Sequence, residues 1–344
     1  MPVLFEIFII ACGAIMKGLF IPDVTELGAS SDSFPSGIVI PGANVMTLPP
    51  GEWVDLSDID LTSSALDYRV SFSCASNHAY YSADGTIQFA APDVWPLEYR
   101  NGVAVGRHEP EPQRTNLFAY SDNLTAWDKN GDVTEITQNG PANPYGTPSY
   151  AVGVGATANS GVFIRSQVTT GETYTISITG RADDARVMLI GESYLGGQPV
   201  QVNFKDKTST LAAPFAYRFA DITNGGWRRY AFTGASTGTG TPGFVVYSAD
   251  AVAGSYSVAL VQHESGAFAT SPIVTNGVAA TRAAALGFVP NPGLLATAAR
   301  IYYTDGTTYD IEFNGAPRGA IPQASKDWGT RYIEGVSYAK GFSR

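Results

Sequence analysis

Residues 117–261 of this 344-residue chain are a series of short runs in which apolar side chains alternate with polar ones. In 173–179, for example, Tyr174, Ile176 and Ile178 occupy one phase and hydroxyl side chains the other. A period of two is typical of a strand with one buried face. Turn residues separate the runs, so the pattern predicts an antiparallel sandwich. Its further strands are predicted at 186–190, 200–204, 228–233, 243–247 and 256–261.

Composition supports the all-β interpretation and limits the partners. Only 15% of residues are charged, against roughly 25% in an average globular protein. The 37 glycines and 21 prolines suit short strands joined by tight turns. A net charge of −10 leaves no basic footprint for phosphates, which excludes a nucleic-acid binder. Neutral glycans remain acceptable partners, because stacking and hydrogen bonds carry their recognition.

The chain divides into five predicted segments. Residues 1–15 form an apolar leader, too short for a membrane-spanning helix of about 20 residues. A misplaced start before Met16 and a contact buried within an assembly both stay open for this leader. A signal peptide or a lipoprotein site at Cys12 is disfavoured, since no basic residue precedes the run. The other segments are an irregular assembly arm (16–70), an extended strap (71–116), the sandwich (117–284) and a C-terminal β domain suited to oligomerisation (285–344).

Three dipeptides predict tight hairpin turns, namely Asp84-Gly85, Asn130-Gly131 and Asp305-Gly306. The last two are predicted as two-residue type I′ turns. The segment 128–132 superficially resembles a calcium loop, but it lacks the loop's Gly and closing Glu, so the hairpin is preferred. A structural calcium ion elsewhere in the sandwich stays open. The best candidate for a short helix is 293–300.

Two polar segments bracket the sandwich. Asn side chains readily bond nearby backbone groups, and a Trp supplies core volume. Glu264 is placed to pair with either Arg282 or Arg114. Neither bracket carries a catalytic set, so both are predicted to clamp the two ends of the sandwich. The clamp residues are Arg114, Thr115, Asn116, Trp127, Gln262, Glu264 and Arg282.

The order of motifs between 72 and 282 resembles a family of tailed-bacteriophage fibre, spike and related virion proteins. The matching positions are Phe72-Ser73-Cys74-Ala75-Ser76, Tyr80, Asp84-Gly85, Glu109, Arg114-Thr115-Asn116-Leu117, Tyr120-Ser121, Trp127, Gly226-Trp227-Arg228-Arg229-Tyr230, Gln262, Glu264, Gly266, Ala269-Thr270-Ser271, Ile273, Thr275 and Thr281-Arg282. Cys74 stands where the family usually has Arg, and Pro272 and Val274 replace its Tyr and Pro. The resemblance implies a jelly-roll sandwich similar to carbohydrate-binding modules, often in trimeric virion appendages. It does not cover 1–70 or 283–344.

A sugar site needs exposed aromatic rings beside charged or amide groups, because the ring face stacks on a pyranose and the polar groups fix its hydroxyls. Aromatic residues in Gly-rich loops are the best candidates, whereas a mid-strand Trp is more often part of the core. The candidate ligand residues are Tyr145, Tyr150, Glu192, Tyr194, Trp227 and Arg228.

The sequence contains no recognisable catalytic or metal motif. His78, His108 and His263 are too scattered for a zinc site, and a Cys12–Cys74 disulfide is disfavoured. Glycosidase carboxylates must lie about 5–10 Å apart across a cleft. Asp183 and Asp184 are adjacent in a turn, and such carboxylates are predicted as surface charge. No nucleophile elbow or phosphate loop occurs. We therefore expect no enzyme and no cofactor.

The resulting functional prediction is a phage fibre or spike subunit, located on a surface appendage of the virion head or tail. It is expected to form a homotrimer, to contact other virion proteins through its arm and to bind a host-surface glycan for attachment. The first alternative is a structural head or tail decoration protein without ligand. Capsule depolymerase is the second, although its long regular repeats are absent. A secreted bacterial lectin or lipoprotein is the third.

Overall fold

The computed structural model describes residues 53–181, 184, 186–222 and 226–340, with short strands at 10–11, 14–15 and 45–47. Strands make up 51% of the described residues and helices 2%, which confirms the all-β sandwich prediction. No helix among the described residues is long and apolar enough to cross a bilayer. Cys12, most of the leader and most of the arm lie outside the described residues, as does the pair formed by Asp183 with Asp184.

Short strands occupy the part of the chain before the sandwich. They are β1 (Ile10–Ala11), β2 (Ala14–Ile15), β3 (Val45–Thr47), β4 (Trp53–Asp55), β5 (Ile59–Asp60), β6 (Ser71–Cys74), β7 (His78–Tyr81), β8 (Ile87–Ala90), β9 (Glu98–Arg100), β10 (Val103–Gly106) and β11 (Arg114–Asn116). Strands β7 and β8 pair antiparallel across the turn at Asp84 and Gly85, which confirms that predicted hairpin.

The sandwich consists of two six-stranded antiparallel sheets. Its strands are β12 (Asp128–Asn130), β13 (Val133–Thr137), β14 (Tyr150–Val154), β15 (Ser160–Arg165), β16 (Thr173–Arg181), β17 (Met188–Glu192), β18 (Leu195–Asn203), β19 (Thr208–Ser209), β20 (Ala216–Asp221), β21 (Trp227–Ala235), β22 (Gly243–Ser248) and β23 (Gly254–Ser265). The first sheet has the order β12-β15-β22-β17-β18-β19, and the second has β13-β14-β23-β16-β21-β20. Each strand predicted within 173–261 is present, with shifted ends.

The connectivity of the sandwich is that of a jelly roll. Strand β14 pairs with β23, β15 with β22 and β16 with β21, while β17 pairs with its successor β18. These nested pairs alternate between the two sheets, as they do when one long antiparallel ribbon is rolled up. Residues far apart in sequence are therefore brought together at both ends of the roll.

Aromatic side chains fill the centre of the sandwich. The ring centroids of Phe118 and Phe244 lie 5.3 Å apart, and Phe232 stacks on Phe244 at 6.4 Å. Each such buried side chain contributes about 1.5–3 kcal/mol. His263 lies in the same core, with its Nδ1 atom 2.5 Å from the Ser166 hydroxyl. Burial lowers the pKa of His263 to about 3, so this imidazole is a neutral core group at ordinary pH.

The remaining strands form a second unit, which we call the flanking module. They are β24 (Ala280–Arg282), β25 (Ala285–Pro290), β26 (Ala296–Tyr303), β27 (Thr308–Glu312), β28 (Arg318–Ile321) and β29 (Ile333–Lys340). Two sheets, β28-β25-β6 and β27-β26-β29-β5, combine strands from both sides of the sandwich. Leu56 and Leu61 share their core with Ile301 and Val336. Residues from the arm, the strap and the C-terminal segment thus form one core.

Two turn predictions and one helix prediction are wrong. Strand β12 pairs with β15 in the first sheet and β13 with β14 in the second, so Asn130 and Gly131 cross between sheets instead of closing a hairpin. The hairpin at Asp305 and Gly306 exists, but only Gly306 has a positive φ (78°). Its amide donates to the Tyr303 carbonyl, as in a type I turn with a glycine bulge. Residues 293–300 form the end of a 3-10 turn (Pro292–Leu294) and the start of β26.

Candidate ligand-binding face

The outer face of the second sheet is covered by the strap and by the segment before β29; we call it the covered face. Here Trp227 is 1% exposed and its ring nitrogen donates to the Ala142 carbonyl at 2.7 Å. The neighbouring rings of Tyr81 and Trp328 stack with centroids 4.3 Å apart. Tyr145 packs against the same cluster, with its ring 5.7 Å from that of Phe89. Trp227 therefore has no free ring face for a sugar in this conformation.

A β-bulge in β23 shapes this covered face. The register between β16 and β23 shifts between Ser177 and Thr179, and Leu260 has a φ of 52°. The Leu260 amide donates to the Asp122 carboxylate at 2.7 Å, which holds a backbone conformation that a Leu rarely adopts. The bulge directs Leu260 outward onto Trp227 and its neighbours, while Val261 stays in the sandwich core.

The two predicted brackets lie side by side. Strand β11 pairs antiparallel with β24, so that Arg114 stands opposite Arg282 and Asn116 opposite Ala280. The Asn116 amide group donates to the carbonyls of Val261 and Ile273, and its oxygen accepts from the amide of Phe118. This one side chain bonds the opening bracket to the closing one. Trp127, as the sequence suggested, packs in the core against Phe244.

Two buried carboxylates join the brackets, and only one of them was expected. The Glu264 carboxylate lies 3.7 Å from the Arg114 guanidinium and accepts hydrogen bonds from Gln262 and Thr270. Arg282 instead contacts Glu111 of the strap at 2.8 Å. Burial alone raises the pKa of Glu111, but Arg282, His108 and Ser271 outweigh it and hold the pKa below the ordinary value. Glu111 is therefore ionised when folded.

The Gly-rich loop after β17 does not present a free aromatic ring. Tyr194 is half-buried against the sandwich core, and a Cβ atom at Gly238 would lie 2.8 Å from its ring. Glu192 is 1% exposed, and its carboxylate accepts from the Tyr194 amide at 2.7 Å. Burial raises the pKa of Glu192 above the ordinary value. Both side chains close one end of the sandwich.

The last two ligand candidates are also held by local contacts. The Arg228 guanidinium lies 2.5 Å from Asp221 and donates to the Lys205 carbonyl at 2.9 Å. Tyr150 is half-buried against the sandwich core. The six candidates thus lie on the covered face, at the end of the sandwich or at its edge. The fold does not bring them together into one site.

The outer face of the first sheet is different, and we call it the open face. Strand β22 alternates between half-exposed and buried positions, with Val245 and Tyr247 outward and Phe244 and Val246 inward. Val245 stands directly opposite Phe163 on β15. Tyr247 stands opposite Leu189 on β17. Three adjacent strands therefore present a continuous half-exposed patch of two aromatic and two aliphatic side chains.

Polar side chains border this patch. Arg165 extends over the Phe163 ring, 4.7 Å from its centroid, and bonds Asp128 at 2.9 Å. Gln201 stands opposite Leu189 and is exposed. Partial burial raises the pKa of Tyr247 although Arg165 acts in the opposite direction, so its hydroxyl remains a neutral donor. Rings flanked by an amide, a carboxylate and a guanidinium are what stacking on a pyranose requires.

A signal for the open face exists in the sequence. In 243–248 apolar residues occupy both phases of the strand, as Phe244 and Val246 do in one and Val245 and Tyr247 in the other. A strand at the surface of a sandwich needs only one apolar phase. The second set of apolar residues indicates that the outer face of this strand also has a function. The sequence of one strand does not reveal that Phe163 and Leu189 lie beside Val245 and Tyr247 on that face.

Acidic residues and histidines are not arranged to hold a metal ion. Within the described ranges, no group of three or more His, Cys, Asp or Glu side chains has metal-binding geometry. Asp128 lies in β12 of the first sheet, whereas Asp132 directly precedes β13 of the second sheet, so the chain passes from one sheet to the other at this point and does not form a calcium loop. Cys74 is a buried free thiol whose sulfur lies 3.3 Å from the Ser76 carbonyl.

The sequence matches no protein-family model, and no curated protein is significantly similar to it. The function is therefore argued from the fold, the open face and the motif resemblance.

Proposed function

We propose that this chain is a non-enzymatic fibre or spike subunit of a phage virion, and that its jelly roll binds a neutral host-surface glycan on the open face. The open face is the observation that carries the binding proposal. It combines two rings, from Phe163 and Tyr247, with hydrogen-bonding groups on the adjoining strands. An acidic chain with a net charge of −10 is suited to a neutral sugar.

The charges on the face also favour a neutral ligand over an acidic one. Arg165 already bonds Asp128 across the strand pair. A sugar carboxylate would have to displace this partner, and Asp128 would then repel it. The remaining donors and acceptors on the face, Gln201 and the Tyr247 hydroxyl, are neutral.

The virion setting rests on the motif resemblance. The motifs that resemble phage virion proteins include those that form the clamp, where β11 pairs with β24. A homotrimer, contacts with other virion proteins and a place on the head or tail surface belong to the same proposal. The observation that favours a decoration protein without ligand is the aliphatic half of the patch, Val245 and Leu189, which suits contact with another protein as well.

Glycan binding by purified protein tests the proposal. Tyr247→Ala and Phe163→Ala each remove one ring from the open face, and we expect at least a tenfold loss of glycan affinity, or about 1.4 kcal/mol. Tyr302→Ala is the matched control, because Tyr302 is a 41%-exposed tyrosine on the flanking module. Tyr194→Ala tests whether the glycan binds instead at the Gly-rich loop after β17, which the sequence analysis predicts as a ligand site. Binding on the open face should be unaffected by this change. Binding that survives the loss of both rings would disprove the assignment to the open face.

Location in the intact particle separates the two candidate functions. A glycan-binding subunit leaves the open face accessible to solvent on the virion. A decoration protein is expected to bury Phe163 and Tyr247 against a neighbouring subunit, and the purified chain then binds no glycan.

A further inference from the structure

A small cavity lies where the strap, the closing bracket and the flanking module meet. It is lined by Cys74, His78, Trp95, Glu98, His108, Glu111 and Arg282, among others. All of these side chains except Arg282 belong to the strap, and Arg282 and Ala285 close the cavity from the closing bracket and the flanking module. The complete cavity therefore exists only while the strap is docked. It is large enough for a water molecule.

Among the residues that line the cavity, three buried side-chain atoms have no hydrogen-bond partner in the described part of the protein. They are Oε1 of Glu98, which is 1% exposed, Nε2 of His78 and Nε of Arg282. Arg282 is already paired with Glu111 through another nitrogen, which leaves Glu98 and His78. The second oxygen of Glu98 accepts from the Tyr81 amide at 3.2 Å. The Tyr332 hydroxyl also favours the ionised form, but burial outweighs both hydrogen bonds, so this carboxylate is costly to ionise.

The charged neighbours do not neutralise Glu98. Arg100 is the nearest cation, but its guanidinium donates to Tyr332 and to the Gly329 carbonyl and lies on the Tyr81 ring. Arg282 is paired with Glu111, whose negative charge acts against ionisation of Glu98.

The other titratable groups around the cavity are similarly engaged. Glu109 is paired with Arg331 of the flanking module. The Nδ1 atom of His108 lies 2.9 Å from the Glu109 carbonyl, and Nδ1 of His78 lies 3.4 Å from the Ser76 carbonyl. Cys74 contacts carbonyl oxygens.

We propose that this junction is a proton-controlled latch, in which a neutral Glu98 and a neutral His78 keep the strap docked between the sandwich and the flanking module. Ionisation of either side chain favours opening of the strap, because the buried Glu98 and the half-buried His78 are better solvated when the cavity is broken. Opening uncovers the covered face around Trp227. The inference is independent of the glycan proposal.

Glu98 and His78 respond to pH in opposite directions. Burial raises the pKa of Glu98 from 4.5 to about 8. Its stabilisation of the docked strap is complete below pH 4.5 and is lost as pH rises towards 8. Burial lowers the pKa of His78 and of His108 below the ordinary 6.5. Their stabilisation is complete above that pH and is lost on acidification. The latch is therefore tightest at intermediate pH.

Hydrogen exchange of strap amides in 78–100, corrected for intrinsic rates, measures the opening equilibrium. We compare the wild-type chain with Glu98→Gln between pH 6.5 and 8. The equilibrium constant for strap opening in the wild-type chain, divided by that in the variant, is expected to rise about fifteenfold from pH 6.5 to pH 8. The reason is that the wild-type chain releases one extra proton, from Glu98, when the strap opens. His78→Asn is expected to reduce the increase in opening below pH 6.5. A ratio that stays constant with pH overturns the role of Glu98.

Glu192→Gln is the matched control, because Glu192 is also buried with a raised pKa but lies at the end of the sandwich. It is expected to leave the pH dependence of strap opening unchanged. An equal effect of both variants would show global unfolding instead of a local latch, and would overturn the proposal. Should Glu98→Gln not fold, a carbon NMR titration of the Glu98 carboxyl in the wild-type chain decides. A carboxyl that is ionised at pH 6 contradicts the latch.

Discussion

The two outer faces of the jelly roll differ in burial, and the difference is the reverse of what their polarity predicts. The covered face, where β16 presents hydroxyl side chains, is buried, whereas the open face, with its apolar patch, is half-exposed. On the covered face, Thr175 and Ser177 are 0% exposed. On the open face, Phe163 and Tyr247 remain in contact with solvent. Alternation in a strand therefore identifies its two faces but not which of them another segment covers.

Hydrogen bonds make it possible to bury the polar face. The Ser177 hydroxyl accepts from Arg229 at 2.7 Å, and the Thr175 hydroxyl donates to the Gly266 carbonyl at 2.8 Å. Arg229 also donates to the Thr270 carbonyl. A buried polar group costs little once it is paired, so this face can be covered by the strap. The rings of the open face need no such partners, and both stay partly exposed, although Arg165 lies over that of Phe163.

The largest contrast is expected from removing one ring on each face. Trp227→Ala should lower the free energy of unfolding by about 3–5 kcal/mol, because it leaves a cavity under the strap. Tyr247→Ala should cost about 1 kcal/mol, since its side chain is only partly buried. Urea denaturation of the two variants measures both values. Equal losses would mean that the open face is covered as well.

Breaking the ion pair between the strap and the closing bracket should have the next largest effect. Arg282→Leu leaves Glu111 buried without a counter-charge, at a cost of about 3 kcal/mol near neutral pH. The pKa of Glu111 is lowered in the folded chain, so the stabilisation exists above pH 4.5 and is lost as pH falls below it. Thermal melting at pH 7 and pH 4 should show a smaller penalty at pH 4. A penalty independent of pH would assign the effect to packing.

Removing a single hydroxyl from the covered face should have a smaller cost. Ser177→Ala deprives Arg229 of one buried acceptor, which is expected to lower the free energy of unfolding by about 1–2 kcal/mol. Thr208→Ala, at an exposed position of β19, is the control and should change little. Chemical denaturation measures both. No difference between them would show that water replaces the lost hydroxyl.

The smallest effect is expected on the open face. Asp128→Asn removes the partner of Arg165, and both side chains are more than half exposed. An exposed pair contributes about 0–1 kcal/mol, so stability should hardly change. Binding of an acidic sugar should, however, become measurable by titration, because Arg165 is free to contact the sugar carboxylate. Unaltered selectivity would show that Arg165 does not contact the ligand.

The strands of the sandwich could be predicted because each carries its own alternation, as residues 173–179 do. Turns are harder to predict than strands. The Asn130-Gly131 dipeptide favours a hairpin locally, but β12 and β13 pair with strands of different sheets. The open face depends on which strands are neighbours, and the roll places β15 beside β22 across 80 residues of sequence. The Glu111–Arg282 pair depends on strap docking, which no local pattern encodes.

The pairing of β11 with β24 gives the sandwich the character of an insertion. Asn116 and Ala280 are direct partners across this ladder, so the chain leaves the flanking module and returns to it within about 5 Å. To the flanking module, the whole jelly roll is one large loop. A short turn between Asn116 and Ala280 in place of this loop would leave the flanking module its own core, because no sandwich residue belongs to that core.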